Sequence, residues 1–240
     1  MMCKNSCIYC LKDSSKTQSH EHIFPEALGY KKKLPKGYVC DNCNNYFSDL
    51  DKNVLYNRIV ALKCGAEGIP GKKGHRLQIG QKLNFPNPGS GQFELTLGPI
   101  SITNETKEVN FTSKQDTEFN ELKFARGIHK IAFNCYASRF RQEKALQSRF
   151  DNLRRYIKNP NQHELWIYAV RYATKCNSIV TFDFFENNEE ILKLQIFNLD
   201  FVVFLREWES NMEFTLKNSG FTVIKRKGQW RASSLLGLQE

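Results

Sequence analysis

No uninterrupted apolar run in the sequence approaches the ~18–20 residues that a membrane-spanning helix needs, so a helical membrane protein is excluded. The opening residues, MMCKNSCIYCLKD, lack the apolar centre of a secretory signal, and a cytoplasmic location is the expectation. There is no internal repeat and no low-complexity tract, which sets aside solenoids and disordered linkers. Negative charge is the sign in short supply. Asp and Glu number 25 against 35 Lys and Arg, for a net charge of +10 and a pI of about 9.2. The imbalance is uneven: residues 1–83 carry 14 basic and 7 acidic residues, the remainder 21 and 18. A basic N-terminal third favours a polyanionic partner, although a surface kept soluble by charge explains the same numbers. The rest is ordinary. With 240 residues, 40% hydrophobic and 18 of them Phe, the chain can build one large core or two small ones.

Eight cysteines are present, and in a reducing compartment they are thiols or metal ligands rather than disulfides. Four have ligand spacing. Cys7 and Cys10 form one Cys-x-x-Cys knuckle, Cys40 and Cys43 a second, with 29 residues between them. A knuckle turns two thiolates to one side of a tight turn, and two knuckles complete a tetrahedron around Zn²⁺. Such a closed site is structural, and its binding energy is folding energy for a module with little core of its own. Cys3 is a spare whose spacing fits less well; Cys64, Cys135 and Cys176 have no ligand spacing and read as small core residues.

Between the knuckles, His20–Phe24 reads as a short strand closed by Pro25, and Tyr38-Val39 as a second. From Asn44 the period becomes helical through Phe47, Leu50, Val54, Leu55, Ile59 and Leu62. The expected organisation is a zinc-stapled strand–loop–strand–helix module over 1–63, a Gly/Pro-rich connector over 64–91, and an α+β domain over 92–240. That domain begins with two strands between Gln92 and Thr112. Helices follow over about 116–139 and 142–158, packed on an antiparallel sheet of strands at 165–170, 179–185, 191–197, 201–205, 213–216 and 221–225.

Glu21-His22 places a carboxylate beside an imidazole between the knuckles. Phosphodiester hydrolysis needs a water made nucleophilic near neutral pH, which suits His, and a hard cation held by oxygen ligands, which suits Glu21 and the side-chain carbonyl of Asn44. The segments EHIFPEALG (21–29) and LPKGYVCDNCNNYF (34–47) resemble the HNH endonucleases of the four-cysteine zinc branch, which use a ββα-metal fold. The resemblance covers roughly residues 5–50. It implies that His22 is the general base, that Glu21 and Asn44 hold a catalytic Mg²⁺ or Mn²⁺, and that Cys7, Cys10, Cys40 and Cys43 hold a structural Zn²⁺. The middle Asn of the family's name has no counterpart; Pro35 and Lys36 occupy that region, so another group must orient the base. His20 is an extra imidazole and, with Asn45, an accessory candidate. In a regular strand His20 and His22 share a face that Glu21 opposes.

Lys31, Lys32, Lys33 and Lys36 form a basic loop suited to tracking a phosphate backbone, or simply to solvation. Arg139, Arg141, Arg154, Arg155 and Lys158 read first as solvated helix faces. His129 and His163 read as packing or surface histidines, and His75 in the connector is uninformative. The expected activity is metal-dependent hydrolysis of DNA, with one module cutting one strand and a homodimer or two events needed to cut both. Two readings compete with it: a non-catalytic zinc-stapled nucleic-acid binder, and an α+β protein that binds another partner and uses zinc only to fold.

Overall fold

The structure, a computed structural model, describes residues 5–57, 60, 64, 83–84, 94–97, 100–103, 120–158, 166–172, 180–186, 188–197, 199–206 and 211–226. Most of the expected connector, and Cys3, His75, His163 and Cys176, lie outside these residues. No helix among the described residues is long and apolar enough to cross a membrane. The fold is α+β, with helices, antiparallel sheets and a four-cysteine cluster near the N-terminus.

The first helix, α1 (Asp41–Leu55), starts inside the second knuckle, with Cys40 as its extended N-cap residue and Asp41 in its first turn. Its apolar side is Phe47, Leu50 and Val54. Of the two strands expected before it, His20–Phe24 keeps one bridge, His22 opposite Lys33 of the expected basic loop, flanked by the hydrogen bonds Leu34 N to Glu21 O (2.8 Å) and Ile23 N to Lys32 O (3.2 Å), and Tyr38-Val39 is not a strand. Pro25 and Pro35 bound the pairing and cannot donate to a longer ladder.

The centre of the molecule is α2 (Glu121–Ala145), capped by the Asn120 side chain, which accepts from Lys123 N at 2.9 Å. The sequence predicts a break between Arg139 and Gln142, and the chain turns there: Arg141 has φ 72° and ψ 167°. The expected second helix is interrupted too, by a 3₁₀ turn at Ser148–Phe150 before α3 (Asp151–Lys158). Arg126 of α2 donates to the carbonyls of Ile157 (2.6 Å) and Lys158 (2.7 Å), satisfying the end of α3 where acceptors have no helical partner.

Among the described residues, β1 (Leu83–Asn84), β2 (Glu94–Leu97) and β3 (Ile100–Thr103) form one antiparallel sheet. A five-stranded sheet contains β4 (Trp166–Tyr172), β5 (Thr181–Phe185), β6 (Asn188–Ile196), β7 (Leu199–Phe204) and β8 (Thr222–Arg226) in the order β5-β6-β7-β4-β8, all antiparallel. The strand expected at 213–216 is instead part of a helix, α4 (Asn211–Asn218). Its stop signal is Gly220 at φ 77°, where Gly220 N and Phe221 N donate back to Lys217 O and Leu216 O, and where buried Phe221 joins Leu216 in one apolar cluster. Four residues were too few for alternation to outweigh that cap.

One apolar core runs from Cys7, Phe24 and Phe47 through α2 to Leu192, Phe201 and Leu205. α2 meets the sheet through Phe124, whose ring lies 6.3 Å from Tyr168 and 6.2 Å from Phe201. His129 is wholly buried, edge-on to Tyr156, and Nδ1 lies 2.9 Å from the Ala125 carbonyl, the packing role expected for it. α2 meets α1 at Gly127, where an added Cβ would stand 2.6 Å from Val54 Cγ2 and 3.1 Å from the Leu50 carbonyl oxygen.

That contact defines a stability test. Ala for Gly in a helix interior gains about 1 kcal/mol of propensity, whereas overpacking a fitted contact costs about 1–3 kcal/mol. Gly127→Ala is therefore expected to lower the urea midpoint, with partial recovery in Gly127→Ala/Val54→Ala; an unchanged or raised midpoint would mean that the helices are not this closely fitted.

Candidate functional site

The four sulfurs of Cys7, Cys10, Cys40 and Cys43 lie within 4.8 Å of one another, with Cys10 and Cys40 at 3.6 Å. Zn–S bonds of about 2.3 Å in a tetrahedron place sulfurs roughly 3.8 Å apart, so the cluster fits the ion. The first knuckle is closed by Leu11 N donating to the Cys7 carbonyl (2.9 Å), which puts Leu11 in the left-handed region at φ 60°. The second straddles the start of α1. The Cys7 thiol is drawn down to about 5 by a hydrogen bond from Cys43, whose own thiol is pushed up by holding that shared proton. Burial pushes the Cys10 thiol up as well, so Cys7 is the cysteine of the cluster whose thiolate these contacts favour. No described cysteine is in a disulfide.

Side chains from the second part of the chain hold this module from below. Gln142 Nε2 donates to the carbonyls of Ser6 (2.8 Å) and Gly37 (3.0 Å), joining the two knuckle-bearing segments. Arg154 Nε donates to the Ile8 carbonyl (2.7 Å), and its guanidinium also reaches the Ala145 and Gln147 carbonyls and Asp151. Arg154 is buried, so among the basic residues of that region it is a structural cation, not a solvated one; Arg139, Arg141 and Arg155 are exposed.

Glu21, His22 and His20 keep the alternation of an extended chain. His20 is exposed, His22 is half-buried and Glu21 is buried at 3% exposure. The His22–Lys33 bridge is a non-hydrogen-bonded pair, since its flanking residues carry the bonds, and such pairs bring side chains close. His22 Nε2 lies 3.6 Å from Glu26 Oε2, and among the described residues Nδ1 has no hydrogen-bond partner. Burial first, and then the Lys33 charge, hold the imidazole below its ordinary pKa, against the opposing pull of Glu26. Both favour the neutral imidazole.

Glu21 faces inward. Its Oε1 meets the Lys130 ammonium group and accepts from Asn134 Nδ2 at 3.1 Å. The same Asn134 amide donates to the His22 carbonyl (3.0 Å), and Tyr9 OH donates to Asn134 Oδ1 (2.7 Å). Lys130 Nζ continues to Asp51 of α1 at 2.9 and 3.2 Å. Burial pushes the Glu21 carboxyl up, against the downward pull of Lys130. Asn44 Nδ2 donates to Ser19 Oγ (2.8 Å), and Ser19 donates to Asp41. Those bonds hold the Asp41 carboxyl below the usual range. Asn45 and Lys31, Lys32, Lys33 and Lys36 are exposed.

The four cysteines are thus assembled, and His22 is brought beside Lys33 and Glu26. Glu21 and Asn44 are each bonded to other groups, and an ammonium group already stands at the Glu21 carboxylate. A divalent ion at Glu21 would meet that positive charge. Apart from the cysteines, no cluster of three or more His, Cys, Asp or Glu among the described residues could hold an ion.

Sequence reasoning did not find Lys130, Asn134, Asp51 or Glu26. Glu26 had a signal, lying four residues after His22. Lys130 and Asn134 had a weaker one: two polar side chains four apart, on one face of an otherwise apolar stretch.

Residues 7–56 match the model of the HNH endonuclease family, which points to a nuclease or nucleic-acid-related function for this part of the chain. Comparison with curated proteins and with solved structures returned no match.

The purified protein is expected to carry one zinc per chain by emission spectrometry. Cys43→Ser should lose the metal and its cooperative thermal transition together, because metal binding and folding of a small stapled module are linked. A metal-free protein that kept the wild-type midpoint would show that packing on α2 suffices.

Proposed function

We propose that residues 7–56 form the catalytic module of an endonuclease that hydrolyses phosphodiester bonds in DNA, with His22 as the general base. The observation that carries this reading is the His22 environment: a half-buried imidazole held neutral, on a zinc-stapled loop of the HNH endonuclease type, beside a row of exposed lysines. A neutral imidazole takes a proton from water as that water attacks phosphorus. Lys33, opposite His22, is placed to meet a phosphate oxygen, while Lys31, Lys32 and Lys36 extend the positive track. The resemblance implies a Mg²⁺ or Mn²⁺ ion, which would supply charge neutralisation at the leaving oxygen; the Lys130 ammonium group stands at the Glu21 carboxylate expected to hold it. One module cuts one strand, and a homodimer or two events would complete a double-strand break.

A second reading, a zinc-stapled module that binds nucleic acid without cutting, is favoured by one observation: the carboxylate expected to hold the ion is buried against Lys130. Nicking of supercoiled plasmid in the presence of Mg²⁺ or Mn²⁺ separates the two. Wild-type protein is expected to nick, and zinc-loaded His22→Ala to lose about 10²–10⁴-fold, the usual worth of a general base. Salt-sensitive binding with no nicking by either protein would favour the binder.

The pH profile gives a finer check. A reaction that needs neutral His22 should rise through a pKa below 6.5 and level off above it, because burial and Lys33 both disfavour the imidazolium. Removing the Lys33 charge lets the imidazole hold its proton to higher pH, so Lys33→Ala should move the acidic limb upward. A limb that stayed in place would separate His22 from the rate.

A further inference from the structure

The Glu21 carboxylate has a partner that comes from outside the family match. Lys130, in the middle of α2, is completely buried, and its ammonium group lies between Glu21 and Asp51. Asn134, one turn later, donates to the same Glu21 oxygen, and the Phe47 ring stands 5.8 Å from the ammonium. We infer that Lys130 is the resident cation of Glu21, taking at this carboxylate the place of the divalent ion that the resemblance implies.

Three physical points support the assignment. Lys130 and Asn134 both meet Glu21 Oε1, and a divalent ion on the other oxygen of that carboxylate would stand close to the ammonium group and be repelled by it, so tight binding of the ion requires Lys130 to leave. Its stem cannot swing to solvent: it is wholly buried, and the α2 backbone one turn earlier is pressed against Leu50 and Val54 at Gly127. Leaving would also strand Asp51, which has Lys130 as its ion-pair partner across the α1–α2 contact. α2 is then part of the site: it neutralises Glu21 through Lys130 and fixes the His22 backbone through Asn134.

The inference concerns the same site as the proposed nuclease but does not rest on turnover, and its test reads ion binding. Zinc-loaded wild-type protein is titrated with Mn²⁺ and the free ion is counted by electron paramagnetic resonance, beside Glu21→Gln, Lys130→Met and Lys130→Met/Glu21→Gln. Wild type and Glu21→Gln are expected to bind Mn²⁺ equally weakly. Lys130→Met frees the carboxylate and should bind at least about tenfold more tightly, a gain lost in the double variant; ligand-environment changes typically move metal affinity by about 10–100-fold. A wild-type Mn²⁺ site weakened tenfold or more by Glu21→Gln would overturn the inference, whether or not the protein nicks DNA. If Lys130→Met does not fold, the comparison of wild type with Glu21→Gln decides by itself: equal binding upholds the inference and Glu21-dependent binding sinks it. Nicking by a protein with no Glu21-dependent Mn²⁺ site would leave both readings standing, and absent nicking would remove only the nuclease.

Discussion

The ammonium group of Lys130, enclosed between Glu21 and Asp51, ties together three segments that are distant in sequence: the loop between the knuckles, α1 and α2. A charge buried this completely persists only with partners, and removing one partner of such a cluster costs about 3–5 kcal/mol because the other charge is left unpaired. The cluster therefore specifies one docking of the N-terminal module on α2. The interlocking of Gly127 with Leu50 and Val54 supplies the apolar half of the same interface. Neither part would hold alone. The apolar contact would tolerate sliding by a turn, and the ion cluster without close packing would admit water and lose its hold.

The four-cysteine cluster is also tied to this docking by side chains of α2 and α3. Residues 5–40 have no regular ladder beyond isolated bridges; many of their backbone hydrogen bonds run within the segment, and the carbonyls of Ser6, Ile8, His22 and Gly37 are taken by side chains of α2 and α3. Gln142 satisfies one carbonyl from each knuckle-bearing segment, and Arg154 satisfies Ile8 between the first two cysteines. A metal can gather four thiolates, but it does not neutralise carbonyl groups that folding takes away from water. The second part of the chain does that, which is why one core spans both.

Local chemistry was legible wherever a few neighbouring residues decide the outcome. Cys-x-x-Cys spacing is such a case, since two thiolates on one turn need only the turn. The strands of the C-terminal sheet and the break between Arg139 and Gln142 were legible because alternation and helical period are properties of short windows. The same windows misread Glu213–Leu216, where a helix stopped by Gly220 was short enough to pass for a strand. They also put the second strand at Tyr38-Val39, whereas His22 pairs with Lys33 and Pro25 and Pro35 limit the pairing to one bridge. His22 beside Lys33 was half legible: both residues stood out, but their pairing register did not.

The sequence by itself determined the four-cysteine cluster able to hold a metal and the α+β class, because spacing and period are carried along the chain. Only the tertiary structure decided which cation Glu21 holds. Lys130 lies more than a hundred residues away and looks in sequence like any lysine on a long helix. Its role is electrostatic, set by burial and by two carboxylates converging on one point, and that convergence exists only once α2 has packed against α1.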